Sequence, residues 1–171
     1  MGTLRLTLLR HGQAQPLGSC HEDFERALTP RGTIEAKEMA ERLVHRGLVP
    51  DLILASPAER AWATASIVAG ICELDGKQLR AARALYDATQ DAIWRVLTKR
   101  EFTVKHILIC GHNPGLSQAA SRFGPHPQPR DLPTAGIATA LWHGAEWTTL
   151  NPGTAVRCDL DDPESLADLW A

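Results

Sequence analysis

Residues 4–12 read LRLTLLRHG: Leu4, Leu6 and Leu8 alternate with Arg5 and Thr7, and Arg10-His11-Gly12 follows at once. Apolar side chains at every second position mark a strand with a buried face. The strand stops where the histidine begins, so an ionisable ring is expected at a strand end. The pattern repeats at residues 106–112: the apolar run His106 to Cys110 (HILIC) predicts a central strand covered on both faces, and Gly111-His112-Asn113-Pro114 turns out of it. Two histidines at two strand ends set the frame for the rest of the chain.

Between them the sequence alternates helix and strand patterns. A loop with Pro16, Gly18 and Ser19 leads to Thr29-Pro30, a cap followed by a first-turn proline, and Ala36, Met39, Ala40, Leu43 and Val44 recur at helical spacing until Gly47. Asp51 to Ala55 predicts a short buried strand. Ser56-Pro57 then opens a helix whose Ala58, Ala61, Ala65 and Val68 face the core, with Arg60 in its first turn. After Leu79 to Tyr86, the stretch Thr89 to Arg100 predicts a helix capped by Thr89 with Ile93, Val96 and Leu97 on one face. The proline-rich stretch Gly124 to Pro133 predicts a loop. Ile137 to Trp142 and Trp147 to Leu150 predict a closing pair of strands around His143-Gly144.

Alternating strands and helices predict an α/β fold, a three-layer sandwich whose mostly parallel central sheet has helices on both faces. At 171 residues the chain is expected to form one domain, 1–171, since a chain of that length buries roughly 70% of its unfolded surface. Ligands of such sheets gather beyond the carboxyl ends of the strands. Arg10 and His11, Arg60 and His112 all follow predicted strands there.

Composition narrows the partners. Hydrophobic residues at 44% and charged residues at 22% fit a globular protein. A formal net charge of -2 and no sequence cluster of lysines and arginines argue against nucleic acid or a membrane surface as partner. Met1 to Leu9 is no hydrophobic signal segment, and the scattered Cys20, Cys72, Cys110 and Cys158 suit a reducing compartment, so a cytoplasmic protein is expected. Cys110 reads as a buried strand cysteine rather than a nucleophile.

A phosphoryl group carries about 1.5 to 2 negative charges and three acceptor oxygens, and arginine's planar fork matches those oxygens. Arg10, Arg60 and His112 supply donors, and a neutral His11 imidazole can attack phosphorus to give a phosphohistidine that water cleaves. Singly, Arg10 reads as a strand-end surface charge and His112 as a capping or core histidine; together at strand ends they form a site. Gly12 lets the backbone approach closely enough for a carbonyl to fix the ring's tautomer. Asp87, in Leu85-Tyr86-Asp87, is a loop acid able to protonate a leaving oxygen, although a capping or solvated aspartate fits equally and Asp91 competes. Seven histidines without H-E-x-x-H, a Cys/His quartet or an acidic cluster give no metal-ligand pattern, and no cofactor motif appears.

On these residues the sequence resembles the histidine phosphatase (phosphoglycerate mutase-like) superfamily, and within it the small SixA-type phosphohistidine phosphatases. Arg10-His11-Gly12 resembles the nucleophile signature, residues 26–32 (RALTPRG) the start of the following helix, and residues 56–61 (SPAERA) the second phosphate-arginine motif. Leu85-Tyr86-Asp87, residues 111–115 (GHNPG) and residues 132–136 (LPTAG) resemble the acidic segment, the second-histidine motif and the final loop. The resemblance implies roles for Arg10, His11, Arg60 and His112, with Asp87 as proton donor, and a phosphorylated substrate, foremost a histidine-phosphorylated protein. Ala63 stands where relatives often have glutamine. Gln13-Ala14-Gln15-Pro16 replaces the Ser and Asn of the mutase branch, which argues against a sugar-phosphate mutase. A phosphatase of small phosphate esters and a phosphate-binding module without turnover remain alternatives.

Overall fold

Strand β1 (Thr3–Arg10) is the spine of the computed structural model, which describes residues 2–165 of the chain. Met1 and residues 166–171, part of the expected 1–171 domain, lie outside the described residues. With β2 (Leu52–Ala55), β3 (Leu79–Ala81), β4 (His106–Gly111), β5 (Ile137–His143) and β6 (Arg157–Asp161), β1 forms a sheet of order β3-β2-β4-β1-β5-β6. The pairings of β1 with β4, β4 with β2 and β2 with β3 are parallel, whereas β5 runs against β1 and β6 against β5. The sheet is therefore mostly parallel, as the alternating pattern predicts.

Successive residues of a strand point to opposite faces, so a doubly covered strand must be apolar throughout. Leu8 and Ile109 join one core with Leu97 of α3 (Gln90–Thr98), Leu116 of α4 (Gly115–Ser121), Phe123 and Trp142. Their neighbours Leu9 and Leu108 join the other, with Met39 and Leu43 of α1 (Pro30–His45) and Ala61 and Val68 of α2 (Glu59–Ile71). The Thr29 hydroxyl accepts from the Gly32 N–H at 3.0 Å at the start of α1, and Thr89 accepts from the Ala92 N–H at 3.3 Å at the start of α3.

Three sequence expectations need correction. Trp147 to Leu150 is not a strand: Trp147–Thr149 is a 3-10 turn whose buried indole donates to the Val104 carbonyl at 2.8 Å. The strand beside β5 is instead β6, whose sequence RCDLD is charged and largely exposed at the sheet edge, so no apolar alternation announced it. Ser56-Pro57 precedes α2 rather than opening it, because the Ser56 hydroxyl accepts from the Ala58 N–H at 3.3 Å in the turn before Glu59. Among the described residues no helix is long and apolar enough to cross a membrane.

Candidate active site

Parallel pairing sets Arg10 of β1 opposite Gly111 of β4, so the residues that follow, His11 and His112, leave adjacent strand ends side by side. Their ring centroids are 5.2 Å apart, and the His11 N–H donates to the Gly111 carbonyl at 3.1 Å. Beyond the strand ends opens a cleft of about 380 Å³ whose walls include Arg10, His11, Asp23, Arg60, Asp87 and His112. All of the side chains singled out from sequence for the site line it; Gly12 and Asp91 do not.

His11 is 8% exposed and its Nδ1 lies 2.7 Å from the Gly12 carbonyl. A carbonyl can only accept, so Nδ1 carries the proton and Nε2 keeps its lone pair. The Arg60 Nε–H points at that lone pair from 3.2 Å. Burial drives the His11 pKa down to about 3, opposed by the Gly12 carbonyl and assisted by His112, Arg60 and Arg10. The ring is thus neutral at pH 7 and its Nε2 is able to attack an electrophile.

Gly12 backs this geometry from behind. A side chain there would meet the Gly32 carbonyl oxygen at 2.4 Å, so the loop and the start of α1 pack backbone to backbone. The Gly12 N–H donates to the Thr64 hydroxyl at 3.1 Å, and that hydroxyl donates to the Arg60 carbonyl at 2.7 Å. One threonine of α2 therefore ties the His11 loop to the turn carrying Arg60, and the Gly12 N–H is spent there instead of facing the cleft.

Arg60, 3% exposed, is clamped by Asp23: Nη1 donates to the Asp23 carbonyl at 2.7 Å and Nη2 to its Oδ2 at 2.9 Å. Asp23 also accepts from Arg26 Nε at 2.7 Å and from the Tyr86 hydroxyl at 3.3 Å. Burial tends to raise the Asp23 pKa, but the hydrogen bonds from Arg26 and Arg60 prevail and hold it below the ordinary carboxylate value. Asp23 is ionised and serves as a brace.

Two buried side-chain nitrogens of residues that line the cleft have no partner among the described residues: Arg10 Nε and His112 Nδ1. Arg10 is anchored at its far end, where Nη1 donates to the Leu132 carbonyl at 2.9 Å. His112 Nε2 lies 2.8 Å from the Ser56 hydroxyl. Nε2 is the one acceptor that the hydrogen of the buried Ser56 hydroxyl meets among the described residues, and giving it to Nε2 leaves the ring proton on Nδ1. Burial, then Arg60, lowers the His112 pKa to about 4, while Asp87 and Asp23 oppose the shift. An unpaired buried donor costs about 1–3 kcal/mol, and the two residues that carry these nitrogens share the cleft wall with Arg60.

Asp87 sits on the exposed rim at φ 47°, in the left-handed region that aspartate tolerates better than most residues. The next residue's carbonyl lies where a side chain on Gly115 would be, 1.8 Å from its Cβ position, so this loop rests directly on α4. Asp91 is on the surface instead, 3.8 Å from Arg122, and does not compete for the site. Cys110 is fully buried and burial raises its thiol pKa, which removes it as a nucleophile. Among the described residues no three His, Cys, Asp or Glu are grouped to hold a metal ion. A separate cavity of about 500 Å³ between α1 and β5–β6 contains Arg42 and Arg46, but Asp161 binds both, at 2.7 and 2.8 Å, and the cavity has no nucleophile.

Sequence reasoning gave no role to Asp23, Arg26 or Tyr86. The Asp23-x-x-Arg26 spacing was the available signal for the first two; nothing local connects either to Arg60.

Residues 6–82 match the model of the histidine phosphatase superfamily (branch 1). No curated protein matches the chain. Among solved structures, a candidate phosphohistidine phosphatase SixA from Nakamurella multipartitia is similar at TM-score 0.79 and 21% identity, covering 96% of this chain and 99% of that one. Its counterpart from Agrobacterium tumefaciens has TM-score 0.75 and 24% identity over 94% and 99% of the two chains. The protein histidine phosphatase SixA complexed with tungstate has TM-score 0.70 and 23% identity over 80% and 87%. A mycobacterial glucosyl-3-phosphoglycerate phosphatase lies further off, at TM-score 0.56 and 19% identity over 94% of this chain and 98% of that one. At these identities the likeness establishes the fold, the phosphoglycerate mutase-like α/β sandwich.

Proposed function

We propose that this chain, whose residues 6–82 match the histidine phosphatase superfamily, removes the phosphoryl group from phosphohistidine on a partner protein by way of His11. The observation that carries the reading is the neutral His11 ring, its Nδ1 held on the Gly12 carbonyl, in one cleft with Arg10, Arg60 and His112.

The phosphoryl oxygens take hydrogen bonds from Arg10, Arg60 and His112, which offset the charge on phosphorus. Nε2 of His11 forms a bond to phosphorus as the bond to the leaving group breaks. The imidazole becomes cationic in that step, and the Gly12 carbonyl, already on Nδ1–H, stabilises it. With phosphohistidine as substrate the leaving group is itself an imidazole, which departs readily. Water then attacks phosphorus, the bond to Nε2 breaks, inorganic phosphate leaves, and His11 returns to its neutral tautomer. Asp87 on the rim delivers a proton to leaving groups that need one and takes one from the attacking water.

Support for a protein substrate comes from the fold shared with SixA phosphatases over nearly the whole chain. The cysteines of the described residues are free, which supports a cytoplasmic site of action. A second reading, hydrolysis of small phosphate esters, draws on Asp87 in the cleft wall, since an alkoxide leaving group needs an acid, and on the glucosyl-3-phosphoglycerate phosphatase neighbour. Comparing kcat/KM on a histidine-phosphorylated protein, an aryl phosphate and a panel of sugar phosphates separates the two. The proposal expects the phosphoprotein to lead; a sugar phosphate that leads by tenfold or more overturns it.

A further inference from the structure

Arg80, Arg83, Arg95, Lys99 and Arg100 are scattered along the sequence, yet all line one groove of about 560 Å³ between α3 and the β2–β3 edge of the sheet. All five are exposed, and none is in an ion pair among the described residues. Arg80 Nε donates only to the Lys77 carbonyl, at 3.0 Å. The acidic residues nearest in sequence stand elsewhere: Asp91 faces Arg122, Asp87 lines the active-site cleft, and neither they nor Glu101 line the groove. The floor is apolar, with Leu54, Val96 and Phe102. In a chain of net charge -2, five cations without an ion-pair partner among the described residues, along one apolar-floored recess, are a local concentration of positive potential.

The groove reaches the active site through a short stack. The Arg83 guanidinium lies 5.1 Å from the Phe24 ring centroid and 5.9 Å from that of Tyr86. Tyr86 in turn packs edge-on against His112, centroids 5.6 Å apart, and its hydroxyl donates to Asp23, which holds Arg60. One side chain, Tyr86, therefore separates Arg83 of the groove from His112 of the cleft.

The geometry points to this groove as a docking site for an acidic segment of the phosphorylated protein substrate, and the inference rests on the protein-phosphatase reading above. Charge complementarity selects the partner: carboxylates of the segment pair with the five cations while its apolar side chains cover Val96 and Phe102. The recess is concave, which suits a protruding segment better than a flat bilayer. Its one aromatic, Phe102, is half-buried and offers no stacking platform for nucleic-acid bases.

Arg95 on α3 and Lys99, which caps its C-terminal end, stand outside the catalytic machinery, so charge reversal there is the test. In NMR titration a short poly-glutamate peptide is expected to shift backbone amides of residues 79–102. Arg95→Glu/Lys99→Glu should weaken its binding about tenfold or more, and Arg95→Gln/Lys99→Gln by less, with both variants folded by circular dichroism. With a histidine-phosphorylated protein the reversal should raise KM, while kcat/KM for an aryl phosphate stays within about twofold. Unchanged peptide affinity in the reversed variant, shifts outside the groove, or an equal loss on the aryl phosphate overturns the docking site. So does tighter binding of phosphatidylserine vesicles or single-stranded DNA through the same residues. Peptide binding needs no turnover, so a wild type that binds the peptide at the groove but leaves phosphohistidine intact fails the substrate reading and not the groove.

Discussion

Acidification from pH 7 to pH 5 should destabilise this fold severely. His11, His106 and His112 are 8%, 4% and 5% exposed, and burial is the main cause that lowers their pKa values to about 3, 4 and 4. Unfolding returns each ring to about 6.5, so between the two values the unfolded chain binds protons that the folded chain refuses. Stability from this source is complete above about pH 6.5 and is lost as pH falls toward the folded values. Each imidazole loses about 1.8 kcal/mol from pH 7 to pH 5, and the three together about 5 kcal/mol. That rivals the whole stability of an ordinary domain, about 5–15 kcal/mol. Asp23, whose pKa is lowered, adds its loss only at still lower pH, which leaves this window to the histidines. Urea unfolding at half-unit pH steps reads the effect, and His106→Gln should reduce the slope by one proton, about 1.4 kcal/mol per pH unit. A stability flat from pH 7 to pH 5, or an uptake of fewer than one proton on unfolding, would refute the reasoning.

Asp87→Asn should slow alkyl phosphates by about 10² to 10⁴ and leave aryl phosphates and phosphohistidine nearly untouched, as steady-state rates on the three will tell; equal losses on all would make Asp87 a structural residue. Thr64→Val keeps shape but strands the Gly12 N–H, so thermal or urea unfolding should show a loss of about 1–3 kcal/mol together with lower turnover. Arg60→Lys keeps the charge but not the fork that spans His11 and Asp23, and kcat should fall with the protein still folded by circular dichroism; unchanged kcat would remove Arg60 from the transition state.

The central sheet was legible because buried parallel strands are apolar on both faces, and Ile107 to Cys110 is. His11, Arg60 and His112 were legible because each follows such a strand, where parallel sheets collect their ligands. The bracing residues were not. Asp23 reaches Arg60 from a loop 37 positions away in sequence, and only the packing of that loop over the cleft joins them. Edge strand β6 escaped for the opposite reason: RCDLD meets solvent and owes its place to pairing with β5. The basic groove is likewise invisible to a search for charge runs, since residues 80, 83, 95, 99 and 100 meet only when β3 and α3 are side by side.

Acid-quench and alkali-quench trapping of the enzyme during turnover, followed by mass spectrometry of the peptide bearing His11, tests the nucleophile directly. Phosphate on His11 Nε2 is a phosphoramidate, so the label should survive alkali, be lost in acid, map to His11, and be absent from folded His11→Ala, which should not turn over. Turnover by His11→Ala, or a label that maps to another residue or is lost in alkali and kept in acid, would contradict the account.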